Sequence, residues 1–452
     1  MKTNKNDDST ARRAPARALF IAVGVGTLTA SALGQWPQFG GPNRNFMTEV
    51  SGLAPKWADE GPKKLWTREL GDGYATIIAD GGILYTMYRT GDDEFTVALD
   101  EKTGKTVWEH RNASPFTKLM AEFGPGPHTT PLLIGDRLCS IGTNAVMHCY
   151  DKTTGNVLWM HDLPKEYHGD IPGRGYGSSP IAYKNTVIVV VDRKREEPGQ
   201  GGGDKTEEAK EIKPVEGQSL MAFDQATGNV VWKAHDYPVS YASPILIRFE
   251  GEEQLVLLME KEIIGINPDN AALLWHHPLK PEGTNLATPV WIGTDMLFCS
   301  SAYDSGSRVI KLTKKDGQTV SEELWYSRKM RVHHANAIPL GDYVYGSSGD
   351  FGPAFFMGVN VRTGEIVWRE RGFAKSTCVY ADGKLILLDE DGQLGLATAT
   401  PQGLTVHSKC KLTERYSWAA PTLVGTKLYL RDRKNILALD LSADGAGVDG
   451  TQ

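Results

Sequence analysis

The sequence lacks several features that mark common functional classes. No apolar run reaches the ~18 residues of a membrane-spanning helix. The 452 residues carry a formal net charge of −6, which argues against a surface of excess lysine and arginine for nucleic acid. No Gly-x-Ser-x-Gly, His-Glu-x-x-His or Gly-x-x-x-x-Gly-Lys motif is present, so hydrolase, zinc-peptidase and phosphate-loop signatures are missing. We therefore expect no transmembrane span and no nucleic-acid partner.

Cysteine is also scarce. The five cysteines cannot all pair, and the first is Cys139, so no N-terminal cysteine is available for a lipid anchor. Cys139 and Cys149 flank a predicted turn at 143–145 and would face each other across a hairpin, where disulfide geometry is often poor. We expect small buried thiols at these two positions.

The first 34 residues have the parts of an export signal. Basic residues precede an apolar run over 18–25, and small residues at 32–34 offer a cleavage site. Arg12 and Arg13 leave both general secretion and twin-arginine export open. We expect residues 1–34 to be a signal peptide, and the mature protein to be periplasmic or extracellular and not lipid-anchored.

One pattern dominates the rest of the chain: an acidic or amide residue, a Thr-Gly turn, and a tryptophan eight positions after the first residue. The acidic side chain can accept bonds from the backbone that follows it, and glycine takes the positive φ of a tight turn. The tryptophan then lies in the outgoing strand, where it can pack on the next sheet while a neighbouring turn binds its N–H. Clear copies end at Trp108, Trp159, Trp232 and Trp368, and degraded copies end at Trp275, Trp325 and His407. Such spacing predicts a repeat array.

A second pattern opens each repeat. A small residue, often followed by proline, precedes two short β-rich runs, so each repeat predicts four antiparallel strands. Seven units are complete, the stretch 420–440 supplies three further strands, and 64–67 supplies a lone tryptophan strand. Pairing the chain ends would complete an eighth sheet and leave no open edge. The sequence predicts an all-β, eight-bladed β-propeller over 64–440, with four-stranded antiparallel blades, closed by pairing of its N- and C-terminal strands.

Three stretches lie outside this pattern. Residues 35–63 are rich in proline, glycine and aromatics, and we expect them to wrap the ring. Residues 193–217 are charged and glycine-rich, which predicts a disordered loop insertion in the third blade. Residues 441–452 are expected to be a flexible tail.

The string ALDEKTGKTVW at 98–108 resembles the tryptophan-docking motif of quinoprotein alcohol dehydrogenases. The same repeat builds BamB-like assembly factors of the outer membrane. The resemblance covers 64–440 and implies a PQQ-like repeat propeller, a fold that carries unrelated activities. For a dehydrogenase it implies pyrroloquinoline quinone (PQQ) beside a calcium-bound carboxylate and under a disulfide of adjacent cysteines. This sequence has no adjacent cysteines and no Cys-x-x-Cys-His haem motif.

An aligned column of residues, two before the proline-type position of each first strand, predicts a ring around one mouth of the central channel. The members that could hold a flat ligand or an extended peptide are Tyr74, His128, Tyr241, His334, Lys375 and Trp418. Gly177 and Leu286 complete the column, and the ring could instead simply plug the hub. Adjacent strand residues point to opposite faces, so His333-His334 and His276-His277 are expected to be surface or turn histidines without metal. The acidic triplet 389–391 is expected to be an exposed turn.

These observations favour a non-enzymatic, monomeric, exported propeller that binds a protein or an envelope component. We expect no cofactor, no catalytic residue and no metal. The alternative is a PQQ-dependent quinoprotein dehydrogenase with quinone and calcium in the central funnel. A third possibility is polymer or carbohydrate binding through Trp418.

Overall fold

The computed structural model describes residues 35–116, 123–192, 217–303, 305–350 and 353–444. The predicted signal peptide, nearly all of the predicted insertion at 193–217 and the end of the predicted tail lie outside these residues. Among the described residues, no helix has the length and apolar character needed to cross a membrane.

The described chain forms eight four-stranded antiparallel sheets. A single strand, β1 (Lys63–Glu69), precedes them, and strands that follow one another in the chain pair as neighbours in each sheet. Blade 1 contains β2 (Ile78–Asp80), β3 (Ile83–Thr90), β4 (Asp93–Asp100) and β5 (Thr106–Ala113). Blade 2 contains β6 (Leu132–Ile134), β7 (Arg137–Ile141), β8 (Val146–Asp151) and β9 (Val157–Asp162), followed by the short helix α1 (Leu163–Tyr167). Blade 3 contains β10 (Ile181–Tyr183), β11 (Thr186–Val190), β12 (Leu220–Asp224) and β13 (Val230–Ala234), and blade 4 contains β14 (Ile245–Phe249), β15 (Glu252–Leu258), β16 (Glu262–Ile266) and β17 (Leu273–Pro278).

Blades 5 to 7 repeat the same arrangement, and blade 8 has only three strands of its own. Blade 5 contains β18 (Val290–Ile292), β19 (Met296–Ser301), β20 (Gly306–Lys315) and β21 (Gln318–Ser327). Blade 6 contains β22 (Ala337–Leu340), β23 (Tyr343–Ser348), β24 (Phe355–Asn360) and β25 (Ile366–Glu370). Blade 7 contains β26 (Thr377–Ala381), β27 (Lys384–Leu388), β28 (Gln393–Thr400) and β29 (Gly403–Lys411), and blade 8 contains β30 (Thr422–Val424), β31 (Lys427–Arg431) and β32 (Asn435–Asp440).

The two ends of the chain close the ring. Strand β1 completes blade 8 by antiparallel pairing with β32, with Trp66 opposite Ala438 and Thr67 opposite Leu437. The predicted eight-bladed propeller, with its closing sheet shared between the chain ends, is therefore confirmed.

The repeated tryptophans join neighbouring blades. In six blades the indole N–H donates to a backbone carbonyl at the turn that precedes the outermost strand of the next blade. The pairs are Trp66 with Glu101 (3.0 Å), Trp108 with Lys152 (2.9 Å), Trp159 with Gln225 (2.9 Å), Trp232 with Pro268 (3.1 Å), Trp325 with Val361 (2.7 Å) and Trp368 with Thr400 (2.7 Å). Since a buried N–H without a partner is costly, these bonds fix the angle between adjacent sheets. The partner predicted for the indole is confirmed.

The turn glycine leaves room for this contact, which gives a test. Gly155 has φ 74°, and a Cβ there would lie 2.5 Å from the Trp108 ring. Gly341 has φ 60°, but a Cβ there would meet nothing within 4 Å. We expect Gly341→Ala to lower the free energy of unfolding by about 1–2 kcal/mol through its positive φ, and Gly155→Ala by about 2–4 kcal/mol because overpacking is added. Equal losses in equilibrium denaturation would contradict a tight tryptophan contact.

Blade 7 lacks its tryptophan, and Ser408 stands in that position. In the other blades the tryptophan faces the residue beside a register shift between the two outer strands; here Ser408 faces Leu396 beside such a shift. The sequence pattern predicts the end of this repeat one residue earlier, at His407, and this position is corrected to Ser408. Ser408 Oγ accepts a bond from Trp57 N (2.7 Å) and donates to Trp57 O (3.3 Å). Trp57 is buried in the hydrophobic core that also contains Leu396 of blade 7. The N-terminal segment therefore supplies an indole near the place where blade 7 has none.

Residues 35–62, here called the strap, cross one end of the central channel. They bond to the innermost strands of four blades. The pairs are Trp36 with Ala79, Pro37 with Leu133, Arg44 with Ala182, and Thr48 with Tyr380. Trp36 has no exposed surface, and burial lowers the pKa of Arg44 to about 10. The predicted ring residues precede these strands, whereas the strap bonds to residues within them, so the strap lies toward the channel end opposite the predicted ring.

Candidate functional site

The predicted ring residues lie just before the innermost strands, at the channel end away from the strap. We call this end the mouth, defined by Tyr74, His128, Tyr241, His334, Lys375 and Trp418. The loops that precede six of the eight innermost strands contribute one member each. The mouth is built from residues far apart in the sequence, so only closure of the ring can bring them together.

Four mouth residues form a continuous ring stack. Tyr74 stacks on His128, with centroids 5.6 Å apart and planes 6° apart, and on Trp418 at 5.2 Å. His334 contacts the other side of the group, 4.3 Å from Trp418. The Tyr74 hydroxyl donates to the carbonyl of Phe123. Tyr74 is only 8% exposed, so this stack fills the mouth instead of lining an open funnel.

Lys375 and Tyr241 complete the mouth in different ways. Lys375 Nζ lies 3.4 Å from Glu390 Oε2, which also accepts the Trp418 indole N–H at 3.2 Å. Tyr241 packs against Gly177, where a Cβ would lie 2.9 Å from its ring. The Tyr241 hydroxyl accepts the backbone N–H of Arg174 at 3.3 Å. Leu286, the remaining column residue, is half-buried.

His333 and His334 lie in the loop before β22, where both are half-buried. Their rings are 4.7 Å apart, and His333 Nε2 lies 2.6 Å from the Tyr303 hydroxyl. The exposure expected for the acidic triplet is wrong for Asp389 and Glu390, which are 2% and 7% exposed. Asp389 accepts backbone N–H bonds within its own turn, and Glu390 binds Lys375 and Trp418. Interior partners hold these polar groups out of water.

Sequence reasoning missed two further aromatics. Phe123 and Tyr416 lie 5.6 Å and 4.6 Å from the Trp418 ring. They stand outside the aligned column, and their loops carry no repeat signal. With Tyr74 and His334 they surround Trp418, which leaves little of its ring free for a sugar. The carbohydrate hypothesis, which needs an exposed Trp418 face, loses support.

The mouth histidines are held neutral by burial. Burial lowers the pKa of His128 and of His333 to about 4, and it lowers the pKa of His334 well below its ordinary value. Within the described residues, His128 Nε2, His333 Nδ1 and both nitrogens of His334 have no hydrogen-bond partner. A neutral imidazole offers one donor and one acceptor, and buried polar groups without partners are uncommon in folded proteins. The chain therefore leaves bonding capacity at this mouth.

The rim of the mouth is charged. Arg415 lies over the Tyr416 ring at 4.6 Å, and its side chain is 56% exposed. Its guanidinium approaches Glu390 at 3.8 Å and Asp391 at 3.5 Å. Beside Tyr241 a cleft of about 310 Å³ is bordered by carboxylates. These are Asp170, Asp192 and Glu260. The rim thus offers a cation over an aromatic ring in the loop before blade 8 and an acidic cleft beside Tyr241 before blade 4.

The mouth matches a quinone with calcium poorly. Calcium takes about 6–8 oxygen ligands, several of them carboxylates. The Glu390 carboxylate, at the mouth, already faces Lys375, Trp418 and Arg415. In the part of the chain that the structure describes, no three histidine, cysteine, aspartate or glutamate side chains are placed to hold a metal ion. The donor set does not fit this cofactor.

Comparison with known proteins gives one family. A family model described as "Outer membrane protein assembly factor BamB" matches residues 92–370. BamB from Moraxella catarrhalis is a similar solved structure, with 15% identity, 84% of this chain and 99% of that chain covered, and a TM-score of 0.57. A quinohemoprotein alcohol dehydrogenase from Comamonas testosteroni has 12% identity, with 92% and 82% covered and a TM-score of 0.62.

A europium-containing methanol dehydrogenase is similar at 13% identity, with 88% of this chain and 89% of that chain covered and a TM-score of 0.59. At such identities these likenesses show the fold alone. A search of curated proteins found no match.

Proposed function

Because this chain belongs to the PQQ-like propeller repeat family described as outer membrane protein assembly factor BamB, we propose that it is an exported, non-enzymatic propeller that binds a protein or another component of the cell envelope through its mouth. The family description names an assembly factor, and a factor of that kind acts by holding partners. The predicted signal peptide supports an extracytoplasmic location.

One observation carries this proposal. Beside the stacked rings of the mouth, the Arg415 guanidinium lies over the Tyr416 ring at 4.6 Å, and the Arg415 side chain is 56% exposed. A partner side chain or terminus reaching this rim would meet a guanidinium and an aromatic face. Such a surface suits recognition of a partner more than chemistry on a small substrate.

The quinoprotein dehydrogenase remains the alternative. Two of the similar structures are dehydrogenases, and they share the propeller with this chain. Against it stand the missing pair of adjacent cysteines and the engagement of Glu390 by Lys375 and Trp418. The mouth would have to unstack Tyr74 from His128 and Trp418 to admit a flat cofactor.

Photo-crosslinking tests the binding surface. We expect p-benzoylphenylalanine at Arg415 to give a discrete crosslinked species in intact cells, because this position lies on the exposed rim. The matched control is Lys102, which is exposed in the blade 1 turn on the strap side of the ring and should give none. Denaturing gels followed by mass spectrometry identify the adducts. Adducts of equal yield at both positions, or none at Arg415, would contradict the proposal.

Cofactor titration separates the alternative. PQQ and Ca²⁺ are added to the purified chain, and the visible spectrum and alcohol-driven dye reduction are followed. We expect no stoichiometric quinone band and no turnover. Stoichiometric cofactor with turnover would replace the proposed function by the dehydrogenase.

A further inference from the structure

Cys139 and Cys149 form a closely matched pair inside blade 2. They lie directly opposite each other on strands β7 and β8. Neither has any exposed surface. Their Sγ atoms are 3.2 Å apart as free thiols. Of the five cysteines, these are the two that share a strand pairing.

The ladder places this pair at the favourable kind of position. Gly142 N donates to Val146 O at 2.9 Å, and Lys152 N donates to Asp136 O at 3.0 Å. Antiparallel pairs alternate between bonded and non-bonded. Stepping from either bonded end through the register puts the cysteines at a non-bonded pair. Facing Cα atoms are then about 4.5 Å apart, within the usual disulfide range of about 4.4–6.8 Å.

The remaining three cysteines have different neighbours. Cys299 faces Arg308, Cys378 faces Leu387 and Cys410 faces Leu394. None of these three is paired with another cysteine. The geometry therefore separates one matched pair from three single thiols.

We propose that Cys139 and Cys149 close into a disulfide when the chain folds in an oxidising compartment. The proposal rests on the export that forms part of the proposed function. Facing residues on paired strands often have poor disulfide geometry, which is the reason that the sequence alone favours free thiols here. The non-bonded register removes that objection.

The reaction is a thiol–disulfide exchange with an oxidant of the disulfide class, such as glutathione disulfide or an oxidised thiol oxidase. One cysteine loses its proton, and its thiolate attacks the oxidant disulfide, which releases one thiol and leaves a mixed disulfide. The second cysteine, as thiolate, attacks the protein-side sulfur and releases the other half as a thiol. The chain loses two hydrogens, and the oxidant is reduced to two thiols.

The folded state offers little access for this exchange. Burial raises the pKa of the Cys139 thiol, which disfavours the attacking thiolate. Cys149 faces the interface with blade 3, where Gln225 O lies 4.0 Å from its Sγ. The bond should therefore form before blade 3 packs onto blade 2, and afterwards be sheltered from reductants.

Thiol counting tests the proposal without depending on export. The purified full chain is unfolded, reduced, and refolded in glutathione buffers of defined ratio. It is then denatured, alkylated with N-ethylmaleimide and weighed intact. We expect three alkylated thiols in oxidising buffer and five in reducing buffer, with a non-reducing digest that joins the two peptides. Five thiols in oxidising buffer after refolding, or a bond to Cys299, Cys378 or Cys410, would overturn the proposal.

Single variants give the controls. Cys139→Ser and Cys149→Ser should each show four thiols in both buffers, while Cys299→Ser should show two in oxidising buffer and four in reducing buffer. Counting is done after denaturation, so a poorly folding variant still yields a number. A chain from cells with five free thiols, beside a refolded chain with three, would count against export and leave the disulfide standing.

Discussion

Acidification from pH 7 to pH 4 should lower the free energy of unfolding by about 3 kcal/mol or more. The cause is a group of histidines buried in the neutral form. Burial, together with the nearby His110, lowers the pKa of His148, at the contact between blades 1 and 2, to about 4. In the mouth, His128 and His333 are lowered to about 4 as well.

The direction of the effect follows from proton binding. The folded pKa values lie below the unfolded value of about 6.5, so the unfolded chain binds more protons between pH 6.5 and pH 4. Stability contributed by these histidines is complete above pH 6.5 and is lost as pH falls toward 4. A folded-state pKa that is lower than the unfolded value by about 2.5 corresponds to about 3 kcal/mol of unfolding free energy for one histidine. His148, at 6% exposed, is the best single source of that loss.

Asp389 opposes part of this trend. Burial raises its pKa to about 6, so the folded state binds its proton first and gains stability as pH falls through 6. Its contribution offsets about one histidine. Several histidines outnumber it, which leaves a net loss.

Denaturant unfolding at a series of pH values measures the slope of the free energy of unfolding against pH. His334→Phe should keep the ring contact with Trp418 and make the slope between pH 6.5 and 4 shallower. His276→Gln is the matched control: its side chain is 58% exposed, and the slope should not change. A stability independent of pH across this window would contradict neutral burial of the histidines.

Replacing Arg431 by methionine should lower the free energy of unfolding by about 3 kcal/mol or more and loosen the contact between blade 8 and blade 1. Arg431 belongs to β31 of blade 8 and has 1% exposure. Its guanidinium donates to blade 1 and its preceding loop. The acceptors are Ala75 O (3.4 Å), Thr86 Oγ1 (3.2 Å), Met87 O (2.5 Å) and Gly71 O (3.1 Å). Methionine fills similar space but leaves these acceptors short of donors, at about 1–3 kcal/mol for each one left unsatisfied.

Lys427 provides the matched control because it lies on the same strand, β31, and also contacts blade 1. Its side chain is 40% exposed and bonds to Glu101 Oε1 of blade 1 at 3.2 Å. Lys427→Met should cost less than about 1 kcal/mol because an exposed ion pair contributes little. Hydrogen exchange of the backbone amides of β1 (Lys63–Glu69) reports on closure of the ring. The exchange rate of these amides should rise only in Arg431→Met. Similar losses in both variants would show that the buried guanidinium does not hold the ring closed.

Local chemistry made the ring predictable. Each Asp-x-x-Thr-Gly hairpin reports its own turn, so blades could be counted one at a time, and the lone strand at Trp66 pointed to the missing partner of β32. Blade 7 was harder. Its outer hairpin has lost the Thr-Gly turn, and a register shift sits beside Leu396, which moved the tryptophan position from His407 to Ser408. The strap has no periodicity, so neither its course across the channel nor the packing of Trp57 beside Ser408 was visible in the sequence.

The mouth was predictable as a set of positions but not as a surface. Alignment placed Tyr74, His334 and Trp418 in one column, and ring closure does bring them together. Phe123 and Tyr416 lie outside this column, and the exposure expected for Glu390 is wrong, because the repeat spacing does not report on these three side chains. Their roles depend on packing across blades, which no local pattern encodes.

The sequence by itself determined the blade number, the strand order and the shared closing sheet, because each hairpin's turn chemistry is complete within about ten residues. Only the tertiary structure decided that the mouth is filled, that Glu390 is engaged, and that His128, His333 and His334 are neutral. Those properties depend on burial and on contacts between loops of different blades, some of them more than 300 positions apart in the chain, as for Tyr74 and Trp418. Burial is a property of the closed ring, and it exists only once all eight blades have met.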